Sequence, residues 1–440
     1  MDADNSAIFY TADAGASPTW YLAEGTNAWD FYTYTTIENP SDRELHARIM
    51  YMDPNPETGA GRAFQRTVTL PPLSQTTISS EPDIGEVDFS TRVECLEGET
   101  IAVDRTMYWT GEGAPCPEGH SSVAATSPSK TWYLPEGSST WGFETWTLVQ
   151  NPNGTDADVT LTYMTEDEGP IAIQKTVPAY SRGSFDMGAD IGEHDSSVQV
   201  TSDLPVIAER SQYRNGRREG SCSVGAPAPA TDYYLAEGTT AWGFETYLLV
   251  QNPNDSDAEV TLTFMTPDGP IGQDPFTIAA NSRKTVKVSE LEGLENTDLS
   301  ARVHADRPVV AERSMYWNGG PDSGQACHAS IGLSSTSNSF FLPDGQTSEG
   351  WQTWTLVANP HDRAVPIEVT YLPQGGGEPV SFTDTIAAGS RATYEMADKI
   401  PEGRASVLVR TLDISLPVLV ERSMYSADRG LGTDTIGAFE

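Results

Sequence analysis

The chain has 440 residues, a formal net charge of −37 and an isoelectric point of about 4.3. Proteins that bind nucleic acid or anionic lipid need a basic face, so this charge argues against both partners. No apolar run approaches the roughly 18 residues of a membrane-spanning helix. The opening MDADNSAIFY lacks the basic and apolar regions of a signal peptide, so we expect a signal and an anchor outside this sequence.

A block of about 20 residues occurs four times along the chain. The copies are TWYLAEGTNAWDFYTYTTIENP, TWYLPEGSSTWGFETWTLVQNP, DYYLAEGTTAWGFETYLLVQNP and SFFLPDGQTSEGWQTWTLVANP, which start at Thr19, Thr131, Asp232 and Ser339. Internal similarity at a regular spacing indicates a tandem repeat. We therefore divide the chain into an N-terminal segment, 1–17, and repeats 1 to 4, at 18–128, 129–229, 230–337 and 338–440.

A second block closes each repeat: IAVDRTMYW, VIAERSQYR, VVAERSMYW and VLVERSMYS. Each copy contains an acidic residue followed by arginine. The strand acids are Asp104, Glu209, Glu312 and Glu421, and the strand arginines are Arg105, Arg210, Arg313 and Arg422. Side chains alternate between the two faces of a strand. Each face of this strand mixes apolar residues with one charge, so we expect at least one buried charge in each repeat.

The pattern between the two blocks predicts β-strands. In residues 257–265, Val260, Leu262 and Phe264 alternate with threonines, as in a half-buried strand. The Asn-Pro turn that precedes this stretch predicts a hairpin with the strand before it. Several short strands in each repeat predict an all-β protein of four tandem immunoglobulin-like β-sandwiches. The Ser-, Ala- and Pro-rich stretches at 121–130 and 223–232 resemble stiff linkers, which predicts an extended arrangement.

The two blocks resemble a recurrent motif, WYLAEGTT…GFETWLLVQNPN…ERSMYW, of large secreted proteins from Gram-positive and related bacteria. The resemblance covers almost the whole chain. It implies an exported or cell-surface protein, and it implies no particular chemistry.

The first candidate site is an ion pair within each repeat. The turn acids are Glu24, Glu136, Glu237 and Asp344, each in a Leu-(Ala/Pro)-(Glu/Asp)-Gly turn. A buried guanidinium needs a partner, and a carboxylate can bind it through two hydrogen bonds. The strand acid points to the opposite face from its neighbouring arginine. We therefore expect each strand arginine to bind the turn acid of its own repeat.

A second candidate site is a set of loop tryptophans, Trp29, Trp141, Trp242 and Trp351. Exposed tryptophans beside acidic residues can stack on sugar rings, although the same side chains can fill a gap between domains. Turns such as 153–156 and 254–257 collect oxygen ligands and leave a calcium site open, but they lack an EF-hand spacing. No cofactor is otherwise expected.

The four cysteines are Cys95, Cys116, Cys222 and Cys327. Cys95 and Cys116 lie in the same repeat, and oxidation is common in exported proteins. We predict a disulfide between them.

The sequence predicts a protein that is not an enzyme. Neither recurring block contains a histidine, and no nucleophile, metalloprotease or phosphate-loop motif is present. We expect a structural or stalk protein of the cell surface. The alternative is an adhesin that binds surface glycans, a protein partner or further copies of itself through its loop aromatics.

Overall fold

The computed structural model describes residues 17–54, 59–165, 168–320 and 324–439, in which the protein is nearly all β. The predicted N-terminal segment, apart from residue 17, lies outside the described residues. Within these ranges, no helix is long and apolar enough to cross a membrane. The strands form sheets of four to eight members.

Repeat 1 contains two four-stranded sheets. Its elements are β1 (Thr19–Leu22), β2 (Tyr32–Asn39), β3 (Leu45–Pro54), β4 (Gly61–Leu70), β5 (Ser74–Ser79), α1 (Glu81–Ile84), β6 (Ser90–Cys95), β7 (Ala102–Trp109) and β8 (Glu118–Val123). The strand orders are β1-β6-β3-β4 and β5-β2-β7-β8.

Repeat 2 has the same strand neighbours. Its elements are β9 (Ser129–Leu134), β10 (Phe143–Asn151), β11 (Ala157–Thr165), β12 (Gly169–Val177), β13 (Ser181–Asp186), α2 (Met187–Ile191), β14 (Ser196–Arg214) and β15 (Glu219–Val224). The first part of β14 pairs with β9 and β11, and its second part pairs with β10 and β15. One long strand therefore joins the two halves, where repeat 1 uses β6 and β7.

Repeat 3 is also joined by a long strand. Its elements are β16 (Ala230–Leu235), β17 (Glu245–Asn252), β18 (Ala258–Thr266), β19 (Gly269–Gly272), β20 (Phe276–Ile278), β21 (Ser282–Lys287), a 3-10 helix (Val288–Glu290), β22 (Ser300–Gly320) and β23 (Gly324–Ile331). The strand β22 pairs with β16 and β18 in its first part and with β17 and β23 in its second.

Repeat 4 returns to separate sheets. Its elements are β24 (Ser339–Leu342), a 3-10 helix (Ser348–Gly350), β25 (Gln352–Asn359), β26 (Val365–Pro373), β27 (Val380–Ile386), β28 (Ser390–Glu395), a 3-10 helix (Met396–Asp398), β29 (Ala405–Thr411), β30 (Leu419–Tyr425), β31 (Gly432–Ile436) and β32 (Ala438–Phe439). The strand orders are β27-β26-β29-β24-β32 and β28-β25-β30-β31.

The alternation predicted for residues 257–265 is confirmed, because Val260, Leu262 and Phe264 are buried. The predicted hairpin is wrong. The strands β17 and β18 flank the Asn-Pro turn, but they do not pair with each other: β17 pairs with β21 and the second part of β22, and β18 pairs with β19, β20 and the first part of β22. The side chain of Asn252 explains the crossing, since its Nδ2 donates to the carbonyls of Ser256, Ile278 and Ala279. The turn is thereby tied to both parts of the repeat.

The predicted extended arrangement is also wrong. The strands β8, β15, β23 and β31, one from each repeat, contact one another in a closed cycle in which β31 of repeat 4 meets β8 of repeat 1. One buried apolar cluster runs through all four repeats. The stretches expected to be linkers instead supply the ends of β8 and β15, whose residues are buried in this cycle. A sequence rich in small residues here serves close packing and not a spacer.

Candidate binding clefts and the ion pairs between repeats

Each strand arginine is buried and binds the strand acid of the next repeat. These arginines are at most 1% exposed. The nitrogen–oxygen distances are 2.6 Å for Arg105–Glu209, 2.5 Å for Arg210–Glu312, 2.7 Å for Arg313–Glu421 and 3.0 Å for Arg422–Asp104. The last pair joins repeat 4 to repeat 1. Both faces of the closing strand are enclosed, so the acid and the arginine are both desolvated and need partners.

The expected pairing with the turn acid of the same repeat is therefore wrong for Arg105, Arg210 and Arg313. For Arg422, Asp344 lies 3.8 Å away, but Asp104 of repeat 1 is closer at 3.0 Å. The alternation of side chains explains the outcome. Each closing strand presents its arginine toward the next repeat and its acid toward the previous one, so the acid and the arginine serve two different junctions.

The turn acids also reach across a junction. Each accepts a hydrogen bond from a hydroxyl in the closing strand of the next repeat: the pairs are Ser211 with Glu24, Ser314 with Glu136 at 3.1 Å, Ser423 with Glu237 at 3.1 Å, and Thr106 with Asp344 at 3.0 Å. The turn acids thus contribute to the same four junctions as the strand acids.

A further arginine at three junctions was missed in the sequence. Arg182 lies 3.2 Å from Glu24, and Arg283 lies 3.4 Å from Glu136. Arg391 donates to the carbonyl of Gly238 at 3.0 Å and lies 3.3 Å from Asp298. The available signal was a recurrent Ser-Arg pair at the start of β13, β21 and β28. Repeat 1 has glutamine, Gln75, at the matching position of β5.

Burial shifts the titration of these groups. Burial raises the pKa of Glu209 above its ordinary value, although Arg105 opposes the shift. It raises the pKa of Asp104 well above the ordinary range, with Arg422 opposing and Asp344 adding to the increase. The positive charges of the surrounding arginines offset part of the cost of burying these carboxylates away from water.

Three clefts open where consecutive repeats meet. Cleft 1/2, about 390 Å³, is lined by residues that include Trp29, Phe31, Trp146, Tyr213 and Arg217. Cleft 2/3, about 620 Å³, is lined by residues that include Trp141, Phe143, Tyr247, Tyr316 and Arg214. Cleft 4/1, about 510 Å³, is lined by residues that include Tyr32, Tyr34, Tyr108, Trp109 and Trp351. Each of these clefts has a turn of one repeat on one wall and strands of the next repeat on the other.

Of the predicted loop tryptophans, Trp29 lines cleft 1/2, Trp141 lines cleft 2/3 and Trp351 lines cleft 4/1, whereas Trp242 lines none of these clefts. Trp29, Trp141 and Trp242 are 67%, 73% and 71% exposed, with φ of 55°, 50° and 55°. Trp351 does not match them: its φ is −72°, and its ring packs 5.7 Å from that of Tyr108. The blocks align without a gap, so Trp351 stands at the position of Phe31, Phe143 and Phe244. Glu349 takes the left-handed loop position in repeat 4, with φ of 57°.

The predicted disulfide is wrong in this structure, because Cys95 and Cys116 are not bonded to each other. Cys95 ends β6 and lies 3.6 Å from a carboxylate oxygen of Glu97. Cys116 lies before β8 at the junction with repeat 4, where its sulfur is 3.5 Å from the carbonyl oxygen of Gly430. The two thiols belong to different sheets of repeat 1. Among the described residues, no cluster of three histidine, cysteine or acidic residues could hold a metal ion.

The turns considered for calcium use their side chains within the protein. Asn153 donates to Asn151 and to the carbonyl of Pro205, and Asn254 makes the matching bonds to Asn252 and Pro308. These bonds explain the turn residues by backbone capping.

Residues 204–312 match the model of a family of unknown function, DUF5719. No curated protein matches the chain. Among solved structures, Thermotoga maritima 1070 is 16% identical with a TM-score of 0.21, covering 22% of this chain and 93% of its own. The Anabaena sensory rhodopsin transducer is 24% identical with a TM-score of 0.17, covering 19% and 92%. A tetra-tandem repeat from the extending region of a large adhesion protein is 13% identical with a TM-score of 0.11, covering 97% and 100%.

Proposed function

We propose that this chain is a binding module of an exported or cell-surface protein, and that clefts 1/2 and 2/3 hold carbohydrate. The observation that carries the proposal is the state of the loop tryptophans. A bulky residue at positive φ costs roughly 1–3 kcal/mol, and such strain is concentrated at functional sites. Trp141 adopts this strained conformation although its side chain is 73% exposed, so packing within the protein does little to offset the strain.

The walls of the clefts support a sugar ligand. In cleft 2/3, the exposed ring of Trp141 stands near Tyr247 and Tyr316, with Glu245 and Gln325 among the polar lining residues. Aromatic faces with a few polar groups between them suit a pyranose ring, which has apolar C–H faces and a hydroxyl rim. In cleft 1/2, Trp29 and Trp146 supply the aromatic faces, and Asp88 and Ser184 supply polar groups.

A structural role for the module is a second candidate, favoured by the buried ion pairs and the shared apolar cluster. These contacts join the four repeats into one cooperative unit. The predicted stalk of separate domains has less support, because repeat 4 returns to repeat 1.

The test is binding of a panel of oligosaccharides, measured by tryptophan fluorescence and calorimetry. The variant is Trp141→Asn, because asparagine tolerates positive φ and so leaves the loop conformation intact. We expect the variant to bind the selected oligosaccharide about tenfold more weakly, which corresponds to roughly 1.4 kcal/mol.

The matched control is Phe64→Ala. Phe64 is an aromatic residue, 40% exposed, on β4 and away from the three clefts. Its variant should bind as the parent does. An equal loss in both variants, or no saturable binding to any oligosaccharide, would contradict the carbohydrate proposal and leave the structural role.

A further inference from the structure

Cleft 4/1 has a continuous aromatic wall that differs from the walls of the other two clefts. The ring centroids of Tyr34 and Tyr108 are 5.9 Å apart with an interplanar angle of 62°. Those of Tyr108 and Trp351 are 5.7 Å apart with an angle of 59°. Tyr32, which is 53% exposed, extends the wall toward solvent. The tilted rings line a space of about 510 Å³.

In the other two clefts, side chains of the protein itself place a positive charge over the wall rings. Arg217 lies over Tyr213 in cleft 1/2, at 5.5 Å from the ring centroid. In cleft 2/3, Arg214 lies over Phe143 at 5.1 Å and Lys287 over Tyr247 at 5.7 Å. Such distances are those of cation–π attraction. The aromatic walls of clefts 1/2 and 2/3 are therefore already covered by cationic side chains of the protein itself.

The matching cations are absent at cleft 4/1. Strand pairing places Ser79 opposite Tyr34, where Lys287 faces Tyr247 in repeat 3. Ser426, which lines cleft 4/1, occupies in repeat 4 the position that Arg214 has in repeat 2. Among the residues the structure describes, no lysine or arginine lies over the rings of this wall.

The charged groups at the opening favour a cation. Glu349 takes the exposed loop position that tryptophan has in the other repeats, and Asp428 also lines the cleft. The one arginine of the lining, Arg404, donates to the side-chain oxygen of Gln346 at 2.5 Å. It lies over no ring of the wall, although its charge acts on the Tyr108 hydroxyl and opposes the rise that burial causes in the pKa of that group.

We propose that cleft 4/1 binds an organic cation of the quaternary or alkylated ammonium class. The faces of Tyr34, Tyr108 and Trp351 attract the positive charge, as aromatic cages do for choline and methylated amines. The carboxylate of Glu349 adds attraction that weakens with salt. This site and its ligand are independent of the carbohydrate proposal, which concerns the other two clefts.

The experiment compares choline with 3,3-dimethylbutan-1-ol, which has the same shape without the charge. Both are titrated into the intact chain while tryptophan fluorescence and heat are recorded. We expect saturable binding of choline and binding of the neutral alcohol at least tenfold weaker. Equal binding of the two compounds, or saturable binding of neither, would overturn the proposal.

Variants locate the site. Trp351→Leu should weaken choline binding at least tenfold, and Glu349→Gln should weaken it a few-fold and reduce its dependence on salt. Tyr32→Ala, at an exposed position, gives a second readout if the leucine variant fails to fold. Trp141→Asn, in cleft 2/3, should leave choline binding unchanged. A loss in the cleft 2/3 variant that matches the loss in the cleft 4/1 variants would also refute the assignment.

Discussion

The three junctions between consecutive repeats differ from the junction that closes the cycle. Junctions 1/2 and 2/3 each contain two buried acids and two arginines, such as Glu24 and Glu209 with Arg105 and Arg182. In junction 4/1, Gln75 replaces the second arginine. The closing junction therefore has less positive charge to offset its buried acids. It also joins segments that are not adjacent in the chain.

Two more substitutions distinguish the closing junction, and a third, Pro343, is shared with junction 2/3, where Pro135 takes the same position. Asp104 replaces glutamate, and its Oδ1 has no hydrogen-bond partner. Pro343 stands where Ala23 and Ala236 donate their N–H groups to Glu209 and Glu421. The shorter side chain and the missing donor act on the same carboxylate.

The last substitution adds a charge. Glu38 is fully buried at the position of Gln150 and Gln251, whose amides donate across the earlier junctions. Its pKa is raised well above the ordinary value, mainly by burial and then by Asp104. The comparison teaches that the same fold tolerates an additional buried acid where the chain closes on itself.

The largest expected effect is a loss of folding stability that differs between junction 2/3 and the closing junction. Arg210→Met should lower the free energy of unfolding by roughly 3–5 kcal/mol, because it leaves Glu312 buried without its partner. Arg422→Met should cost less, since the raised pKa of Asp104 lets that acid take up a proton. Urea unfolding of both variants tests the difference.

A control for this pair is Arg217→Met, at an arginine that is 35% exposed and lies 3.4 Å from Glu144. An exposed pair contributes about 0–1 kcal/mol, so this variant should unfold nearly as the parent does. Equal losses for Arg210→Met and Arg422→Met would remove the distinction between the junctions.

An intermediate effect is expected from Glu38→Gln, which restores the glutamine of junctions 1/2 and 2/3. At pH 7 the substitution should raise the free energy of unfolding by about 1–3 kcal/mol, because it removes the cost of a buried acid. The gain should depend on pH. A carboxyl whose pKa is higher in the folded state than in the unfolded state makes its full contribution to the free energy of unfolding below its unfolded pKa of about 4.3. This contribution is lost as the pH rises toward the folded pKa.

The gain from Glu38→Gln should therefore shrink as pH falls from 7 to about 4, in a series of urea titrations. Gln150→Glu at junction 1/2 is the reverse control, and it should destabilise the protein more at pH 7 than at pH 4. A gain that is constant with pH would show that Glu38 does not carry the proton.

The smallest effect is expected from Pro343→Ala, which adds an N–H group beside Asp104. We expect a gain of roughly 0.5–1.5 kcal/mol, the usual contribution of one hydrogen bond. Pro135→Ala is the matched control, because Glu136 already donates its N–H to Glu312 at 3.1 Å. Thermal unfolding of the two variants in parallel measures the difference, and an equal change in both would contradict the role given to Pro343.

Much of the β structure could be predicted from local pattern. The alternation of Val260, Leu262 and Phe264 is a property of a few neighbouring residues. It is seen in the structure because successive side chains of a strand point to opposite faces of the sheet. Each face of the closing strand carries apolar residues together with one charged residue, so neither face has the character of a solvent-exposed side. This pattern correctly predicted buried charge.

The partners of those charges could not be predicted in the same way. Glu237 of repeat 3 and Glu421 of repeat 4 were both plausible partners for Arg313, because similar repeats present similar local patterns in every copy. Only the packing of the repeats decided for Glu421, at 2.7 Å. The sequence by itself determined which residues form strands and which charges are buried, because both follow from the alternation of neighbouring side chains. The tertiary structure alone decided that the fourth repeat meets the first, because that choice depends on contacts between residues hundreds of positions apart.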